Sequence, residues 1–144
     1  MPNNITNKIT IRTNNPDKVY RELIKHDYFN FETIIPSPQK QEDCPLDCIN
    51  NGTDNIETLQ DRPWFHWYKW QHKYWGTKWN SYCNIHEQRK RSVYIQFDTA
   101  WTPPLPIFKK LIEMYGSDNV TIRSYEEWGE KCFEHTKKNK FWVD

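Results

Sequence analysis

The sequence has little glycine, no long hydrophobic run and almost no net charge. Its 144 residues include only four glycines, which leaves little room for a glycine-rich phosphate loop or a nucleophile elbow. No apolar run approaches the length of a membrane-spanning helix, so no membrane partner is expected. The formal net charge is +1, which gives no general argument for nucleic acid as a partner. Because no Cys–His catalytic signature is present either, we predict that the protein is not an enzyme.

Cysteine is also sparse, with four residues in the chain. The N-terminal segment MPNNITNKIT lacks the basic start and apolar block of a signal peptide, so a cytoplasmic protein with reduced thiols is expected. Cys44, Cys48, Cys83 and His86 offer three thiolates and an imidazole, which could form a tetrahedral structural zinc site that pins a polar loop to the neighbouring hairpin. The alternative is that the cysteines are small buried hydrophobes. No other cofactor is predicted.

Aromatic residues are abundant, and six of the eight tryptophans lie between Trp64 and Pro104. From Trp64 to Tyr74 the aromatic residues recur at spacings of three and four, which predicts a helix capped by the segment 61–63. Gly76 marks a change to alternation. We therefore predict strands over 75–82 and 92–97, joined by a charged turn.

The remaining elements are predicted from apolar periodicity and capping residues. An isoleucine-rich first strand precedes a helix that Asn15 caps and that ends near His26. A second helix is predicted from a cap at Thr102 to a stop at Gly116, and a final strand follows it. The tail from 126 to 144 is expected to add a hairpin that turns at 137–140 and buries its aromatic residues. His66 and His72 are predicted to lie on the surface.

The order strand, helix, strand, strand, helix, strand predicts an α+β fold of the ferredoxin-like βαββαβ type, with an antiparallel sheet and both helices on one sheet face. Residues 1–144 are predicted to form a single domain with an insertion at about 36–74, made of a loop and the aromatic helix, and with a C-terminal extension. The other sheet face remains for the aromatic helix, the tail, a second subunit or a ligand. The sequence leaves the oligomeric state open.

Three stretches of the chain resemble the YubB/Api92-like family of ferredoxin-like proteins from phages, plasmids and other mobile elements. They are WGTKWN (75–80), FDTAWTPPLPIFKKL (97–111), and the isoleucine-rich first strand with its following Asn-Asn-Pro-Asp. The resemblance implies the same fold and a mobile-element origin. It implies no reaction.

These observations predict a non-enzymatic mobile-element protein that binds a host macromolecule, with a host protein as the partner. One function expected of a protein encoded by a mobile element is inhibition of a host defence system, as by an anti-CRISPR. The alternative is a single-stranded nucleic-acid-binding protein in which tryptophans stack on bases and lysines contact phosphates. For the WGTKWN segment the two interpretations are a stacking platform and packing across the sheet, and for the basic run at 89–91 they are a binding site and a solvated turn. The residues predicted to bind the partner are Trp70, Tyr74, Lys78, Arg89, Lys90, Arg91 and Tyr94.

Overall fold

The chain folds around a five-stranded antiparallel sheet whose central strand is the first one in sequence. The computed structural model describes residues 3–52 and 56–142. The strands are β1 (Asn4–Arg12), β2 (Ile24–Lys25), β3 (Tyr28–Phe29), β4 (Tyr82–Gln88), β5 (Ser92–Ala100), β6 (Val120–Glu126) and β7 (Lys131–His135). The helices are α1 (Pro16–Leu23), α2 (Trp67–Tyr74) and α3 (Leu105–Tyr115).

The strand order of the large sheet is β4-β5-β1-β6-β7, and β2 pairs with β3 in a separate small hairpin. In β1, Ile9 lies opposite Ile95 of β5 and Ile122 of β6, and all three side chains are buried. Alternate residues of these strands face the core because successive side chains of a strand point to opposite faces. The α+β class and the antiparallel sheet are as predicted. Besides the six elements predicted for the framework, residues 3–52 and 56–142 contain the predicted inserted helix α2, the strand β7 in the predicted extension, and the small hairpin β2–β3, which was not predicted.

Helices α1 and α3 pack on the same face of the sheet, because their buried residues join one hydrophobic cluster with the buried faces of β1, β5 and β6. The predicted cap of α1 is confirmed: the Asn15 side chain accepts a hydrogen bond from Lys18 N at 3.3 Å. The helix ends at Leu23, earlier than predicted, because His26 and Asp27 have positive φ angles of 52° and 66° in the β2–β3 turn. None of the helices in residues 3–52 and 56–142 has the length and apolar character needed to span a bilayer.

Helix α3 begins differently from the prediction. Thr102 does not cap it; the N-cap position is Pro104, which makes no side-chain capping bond. The Thr102 hydroxyl instead donates to the carbonyl of Gly76 at 2.6 Å. The helix ends at Gly116 as predicted, and that residue has a φ of 96°.

The inserted aromatic helix packs on the helix-bearing side of the sheet. The Trp70 ring contacts the rings of Phe65 and Trp75 at centroid distances of 5.9 and 5.4 Å. Phe31 then links Trp75 to Phe97 of β5, at 5.5 and 5.6 Å. The insertion therefore extends the existing core, and the opposite sheet face stays uncovered by it.

The start of α2 corrects two predictions. The helix begins at Trp67, and its cap is His66 rather than the segment 61–63, because the imidazole accepts a hydrogen bond from Lys69 N at 3.3 Å. His66 is buried and not a surface residue. His72 is exposed, as predicted.

Residues 75–80 form a bent loop and not the predicted strand, which corrects the bounds of the central hairpin. Gly76 has a φ of 80°, and a Cβ added there would lie 2.6 Å from Pro106 Cδ. The hydroxyl of Thr77 donates to the carbonyl of Ala100 at 2.8 Å. These contacts dock the loop against the end of β5 and the start of α3, a geometry that alternation in the sequence does not reveal.

The tail contributes β7, which extends the sheet beside β6. The hairpin turns between Glu126 and Glu130, where Glu126 N donates to Glu130 O at 2.8 Å, and not at 137–140 as predicted. Phe133 is buried, whereas Trp128 in the turn is exposed. The expectation that all tail aromatic residues are buried is therefore wrong for Trp128 and for Phe141, which is also exposed.

Candidate partner-binding surfaces

The structure does not assemble the predicted zinc site. Cys44 and Cys48 are buried in the insertion, where burial raises the pKa of both thiols, that of Cys48 to about 11. Cys83 is exposed, and the imidazole Nδ1 of His86 lies 2.7 Å from the hydroxyl of Tyr20. Within the described residues, no group of three cysteine, histidine, aspartate or glutamate side chains is placed to hold a metal ion.

His86 instead joins three elements of the fold. Its Nε2 lies 3.0 Å from a carboxylate oxygen of Asp27 in the β2–β3 turn, while its Nδ1 contacts Tyr20 of α1. The chain Asp27–His86–Tyr20 thus fastens the edge strand β4 to the turn and to α1. We assign it a structural role.

Among the predicted partner-binding residues, Trp70 is in the core and only 3% exposed. It stacks on the half-buried Tyr74, with ring centroids 5.1 Å apart. Trp70 therefore cannot contact a partner in this fold, and its assignment to the partner surface is wrong. Lys78 is half-buried, and its Nζ lies 4.4 Å from the ring centroid of Trp79.

The predicted basic residues lie together at the β4–β5 turn, here called the basic tip (Arg89, Lys90 and Arg91), and all three are exposed. Arg89 pairs with Glu87 at 3.2 Å and lies over the ring of Tyr94, 4.8 Å from its centroid. The structure thus brings Arg89 and Tyr94 into contact. Lys90 and Arg91 have no ion pair among the residues that the structure describes.

The sheet face opposite the helices, here called the open face, carries a mixture of aromatic, polar and charged side chains. It comprises Thr6, Lys8, Thr10, Tyr82, Ile85, Tyr94, Gln96, Asp98, Thr121, Arg123 and Tyr125, which share a face by their register. Lys8 Nζ lies 5.3 Å from the ring centroid of Tyr125, and Arg123 pairs with Glu134 at 3.0 Å. Positive and negative groups are interspersed, so the face has no strong charge of one sign.

A third surface, which the sequence analysis did not predict, has three exposed tryptophans at one end of the sheet. Trp79, Trp101 and Trp128 are 40%, 54% and 87% exposed. We call this surface the aromatic end. Exposed tryptophan is unusual, because the ring is large and mostly apolar and its transfer out of water lowers the free energy.

Strand pairing places Trp101 and Trp128 at the same end. Asn4 pairs with Ala100, the residue before Trp101, and Ile5 pairs with Glu126 at the start of the turn that holds Trp128. The backbone N–H of Trp101 also donates a hydrogen bond to Asn3 O at 2.8 Å. This bond holds the backbone of Trp101, whose φ is 71°.

Trp79 reaches this end through its own loop. The loop is fixed to the end of β5 by the hydroxyls of Thr77 and Thr102, which donate to Ala100 O and Gly76 O at 2.8 and 2.6 Å. The sequence did contain one signal for Trp128, since Gly129 and the flanking glutamates are typical of a solvated turn. Trp79 belongs to the WGTKWN segment, for which a stacking platform is one of the two interpretations, and it is exposed whereas Trp75 is buried. The sequence contained no comparable signal for Trp101.

Residues 75–138 match the family model of the ferredoxin-like domain in Api92-like protein. This segment is similar to that ferredoxin-like domain. The resemblance to Api92-like proteins is therefore confirmed for β4, β5, α3, β6 and β7. No curated protein and no solved structure matches the chain.

The Api92-like segment does not hold the whole sheet. Strand β1 lies between β5 and β6 in the strand order, yet residues 4–12 precede the matched segment by more than sixty positions. The central strand and helix α1 come from outside the segment, and without β1 the strands β5 and β6 would each lose their shared neighbour.

Proposed function

We propose that this Api92-like protein is a non-enzymatic binding protein that acts by occupying a protein of its host, and that the aromatic end is the docking surface. The observation that carries the proposal is the exposure of Trp79, Trp101 and Trp128 at one end of the sheet. Tryptophan, tyrosine and arginine are the residues that most often dominate protein–protein interfaces. A protein partner is favoured because the three rings are large apolar anchors and because the exposed charges of the open face are mixed in sign.

Burial of the three rings can supply a substantial part of the free energy of binding in a specific complex. If docking removes about 100 Å² of apolar surface from each of the three rings, the gross gain is about 7 kcal/mol at about 25 cal/mol per Å². The losses of translational and side-chain freedom reduce this figure, so contacts around the rings must contribute as well. The basic tip is too far away to belong to the same small patch, since the nine residues of β5 separate the two by roughly 27 Å.

The family gives the proposal its biological setting. We infer that β1, α1, β4, β5, α3 and β6 are the six elements of a ferredoxin-like βαββαβ unit in a single domain, with residues 36–74 as the insertion and β7 in the extension. The family resemblance supports a phage or plasmid origin. Inhibition of a host defence system, as by an anti-CRISPR, is our extension of the same proposal and rests on that association.

The test is capture of a host protein by purified immobilised protein. We expect the wild type and a Leu46→Ala control to retain one partner, because Leu46 is 91% exposed but lies in the insertion. The Trp101→Ala/Trp128→Ala variant should lose at least about tenfold in affinity, as interface anchors do. Urea midpoints should be alike for all three proteins. Equal retention by the double variant, or no partner for the wild type, would contradict the proposal.

Single-stranded nucleic acid is the second candidate, and the open face favours it. Tyr82, Tyr94 and Tyr125 share this face, and cations lie over two of the rings, Arg89 over Tyr94 and Lys8 over Tyr125. Aromatic rings beside cations can stack on bases and contact phosphates.

This candidate predicts binding of a labelled single-stranded oligonucleotide that weakens steeply between about 50 and 200 mM salt, because phosphate contacts release counterions. Fluorescence anisotropy measures it. Tyr125→Leu should weaken binding, while Thr10→Val, a control on the same face, should not. Absence of binding at low salt would rule this candidate out.

A further inference from the structure

A cavity of about 950 Å³ lies at the basic-tip end of the sheet, opposite the aromatic end. It is formed where β1 ends, β5 begins, α1 begins and α3 ends. Its lining residues are Arg12, Thr13, Asn14, Asn15, Lys18, Val19, Glu22, Arg91, Met114, Tyr115 and Asn119. The volume is in the range of sites that hold small molecules, about 300–1,000 Å³.

The frame of the cavity is fixed by backbone hydrogen bonds between separate elements. Thr13 N donates to Arg91 O at 2.9 Å, and Arg12 N donates to Asn119 O at 2.8 Å. The Asn119 side chain in turn donates to Tyr115 O at 2.9 Å. The bonds to Thr13 and Asn119 use only main-chain atoms of Arg91 and Arg12. The guanidinium groups of these two arginines therefore remain available to a ligand.

The cavity has an excess of positive charge. Arg12, Lys18 and Arg91 border it, and none of them forms an ion pair with any residue in 3–52 or 56–142. Glu22 is the one acid among the lining residues in the described part of the chain, and it accepts a hydrogen bond from the Tyr115 hydroxyl at 3.2 Å.

Several other basic side chains of the fold are paired with acidic groups, whereas the cavity brings together three cations that are unpaired within the part of the chain that the structure describes. Arg21 pairs with Asp17 at 2.7 Å, and Arg123 and Lys131 both pair with Glu134 at 3.0 Å. Asp118, which interacts with Arg12, has its own partner in Lys140 at 2.7 Å.

Apolar surface adjoins the cations. Met114 is exposed to the cavity side, Val19 is buried beneath it, and the ring of Tyr115 is half-buried. A site with cations on one side and apolar groups on the other suits a ligand that has an anionic end and an apolar or aromatic body.

We propose that this cavity binds a nucleoside phosphate or a similar small phosphate ester. Guanidinium groups present a planar set of donors that matches phosphate oxygens, and the two arginines with Lys18 offer three positive charges against the single charge of Glu22. The apolar side would receive the base. This cavity is separate from the aromatic end. The result of a ligand-binding test on the cavity therefore has no bearing on the proposed protein-binding function.

Isothermal titration calorimetry at about 50 mM salt tests the proposal with ADP, pyrophosphate and adenosine as probes. We expect ADP to bind with one-to-one stoichiometry, pyrophosphate to bind more weakly and adenosine not to bind. The Arg12→Ala/Arg91→Ala variant should lose at least about tenfold in ADP affinity, since charge-assisted hydrogen bonds are the strong ones. Met114→Ser should weaken the binding of ADP but not the binding of pyrophosphate.

The charge-matched control is Lys109→Ala/Lys110→Ala, which removes two exposed charges from α3 outside the cavity. It should bind ADP like the wild type, and urea midpoints should confirm that both double variants fold. Lack of ADP binding at millimolar concentration, or an equal loss in both double variants, would overturn the proposal. Arginine-dependent binding of a single-stranded oligonucleotide without ADP binding would also overturn it.

Discussion

The buried polar cluster at the centre of the sheet permits a quantitative test of the fold. Asn7 of β1 is fully buried on the helix-facing side of the sheet. Its Nδ2 donates to Thr99 Oγ1 at 3.0 Å, and its Oδ1 accepts from the Ser124 hydroxyl at 2.7 Å. The amide therefore joins β5 and β6 through β1, and Asn7→Ala would remove both bonds at once.

The expected loss can be estimated from these contacts. The Ser124 hydroxyl would be left buried without its acceptor, which costs about 1–3 kcal/mol. The lost amide bond to Thr99 adds about 1 kcal/mol, and the space left by the missing amide group about 1 kcal/mol more. We expect Asn7→Ala to lower the free energy of unfolding by about 3–5 kcal/mol, a large share of the usual 5–15 kcal/mol.

Urea unfolding followed by tryptophan fluorescence measures this loss, and a double-mutant cycle isolates its cause. In the Asn7→Ala background, Ser124→Ala removes the unpaired hydroxyl. The double variant should therefore be more stable than the sum of the two single losses by about 1–2 kcal/mol. Thr10→Ala, on the open face of the same strand, should lose less than about 1 kcal/mol. A loss below 1 kcal/mol for Asn7→Ala, or strict additivity in the cycle, would refute the reasoning.

Three further predictions concern the loop, the thiols and pH. Gly76→Ala should lower the free energy of unfolding by at least about 2 kcal/mol, because the left-handed conformation disfavours a side chain and the new Cβ would lie 2.6 Å from Pro106 Cδ; an unchanged urea midpoint would contradict this. Cys44 and Cys48, which are buried and have raised thiol pKa values, should react with a thiol reagent more slowly than the two exposed cysteines until urea unfolds the chain. Hydrogen bonds from Asn139 and two basic side chains lower the pKa of Glu134 from 4.5 to about 2, so its contribution to stability is complete above pH 4.5 and is lost as the pH falls toward 2. The difference in urea midpoint between wild type and Glu134→Gln should therefore shrink between pH 7 and pH 3, and a constant difference would show that the carboxylate does not act this way.

The strands and helices of the sheet framework could be predicted because their signals are local. Side chains alternate along a strand, so the isoleucines of β1 and the apolar residues of β5 already indicate their buried face. The Asn15 cap and the stop at Gly116 are also local, since each depends on the backbone within one turn of a helix. Asn7 shows the limit: it interrupts the isoleucine pattern and yet lies in the core, because Thr99 and Ser124 on the neighbouring strands satisfy its amide.

The candidate sites could not be predicted in the same way. Trp70 and Trp101 lie in one aromatic-rich stretch, but Trp70 is buried against Phe65 and Trp75 whereas Trp101 is exposed at the end of a strand. The predicted zinc site failed for the same reason, because the positions of Cys44 and His86 relative to each other depend on how the insertion packs. The cavity between Arg12 and Arg91 arises only when the ends of β1 and β5 meet.

The sequence by itself determined the class of the fold, the Api92-like resemblance, the start of α1 and the stop of α3, because periodicity, capping and recognisable segments act over a few neighbouring residues. Only the tertiary structure decided which aromatic rings meet solvent, where the thiols lie and which cations remain unpaired. Exposure and charge pairing depend on segments that are distant along the chain, and strand β1, placed between β5 and β6, determines which of those segments become neighbours.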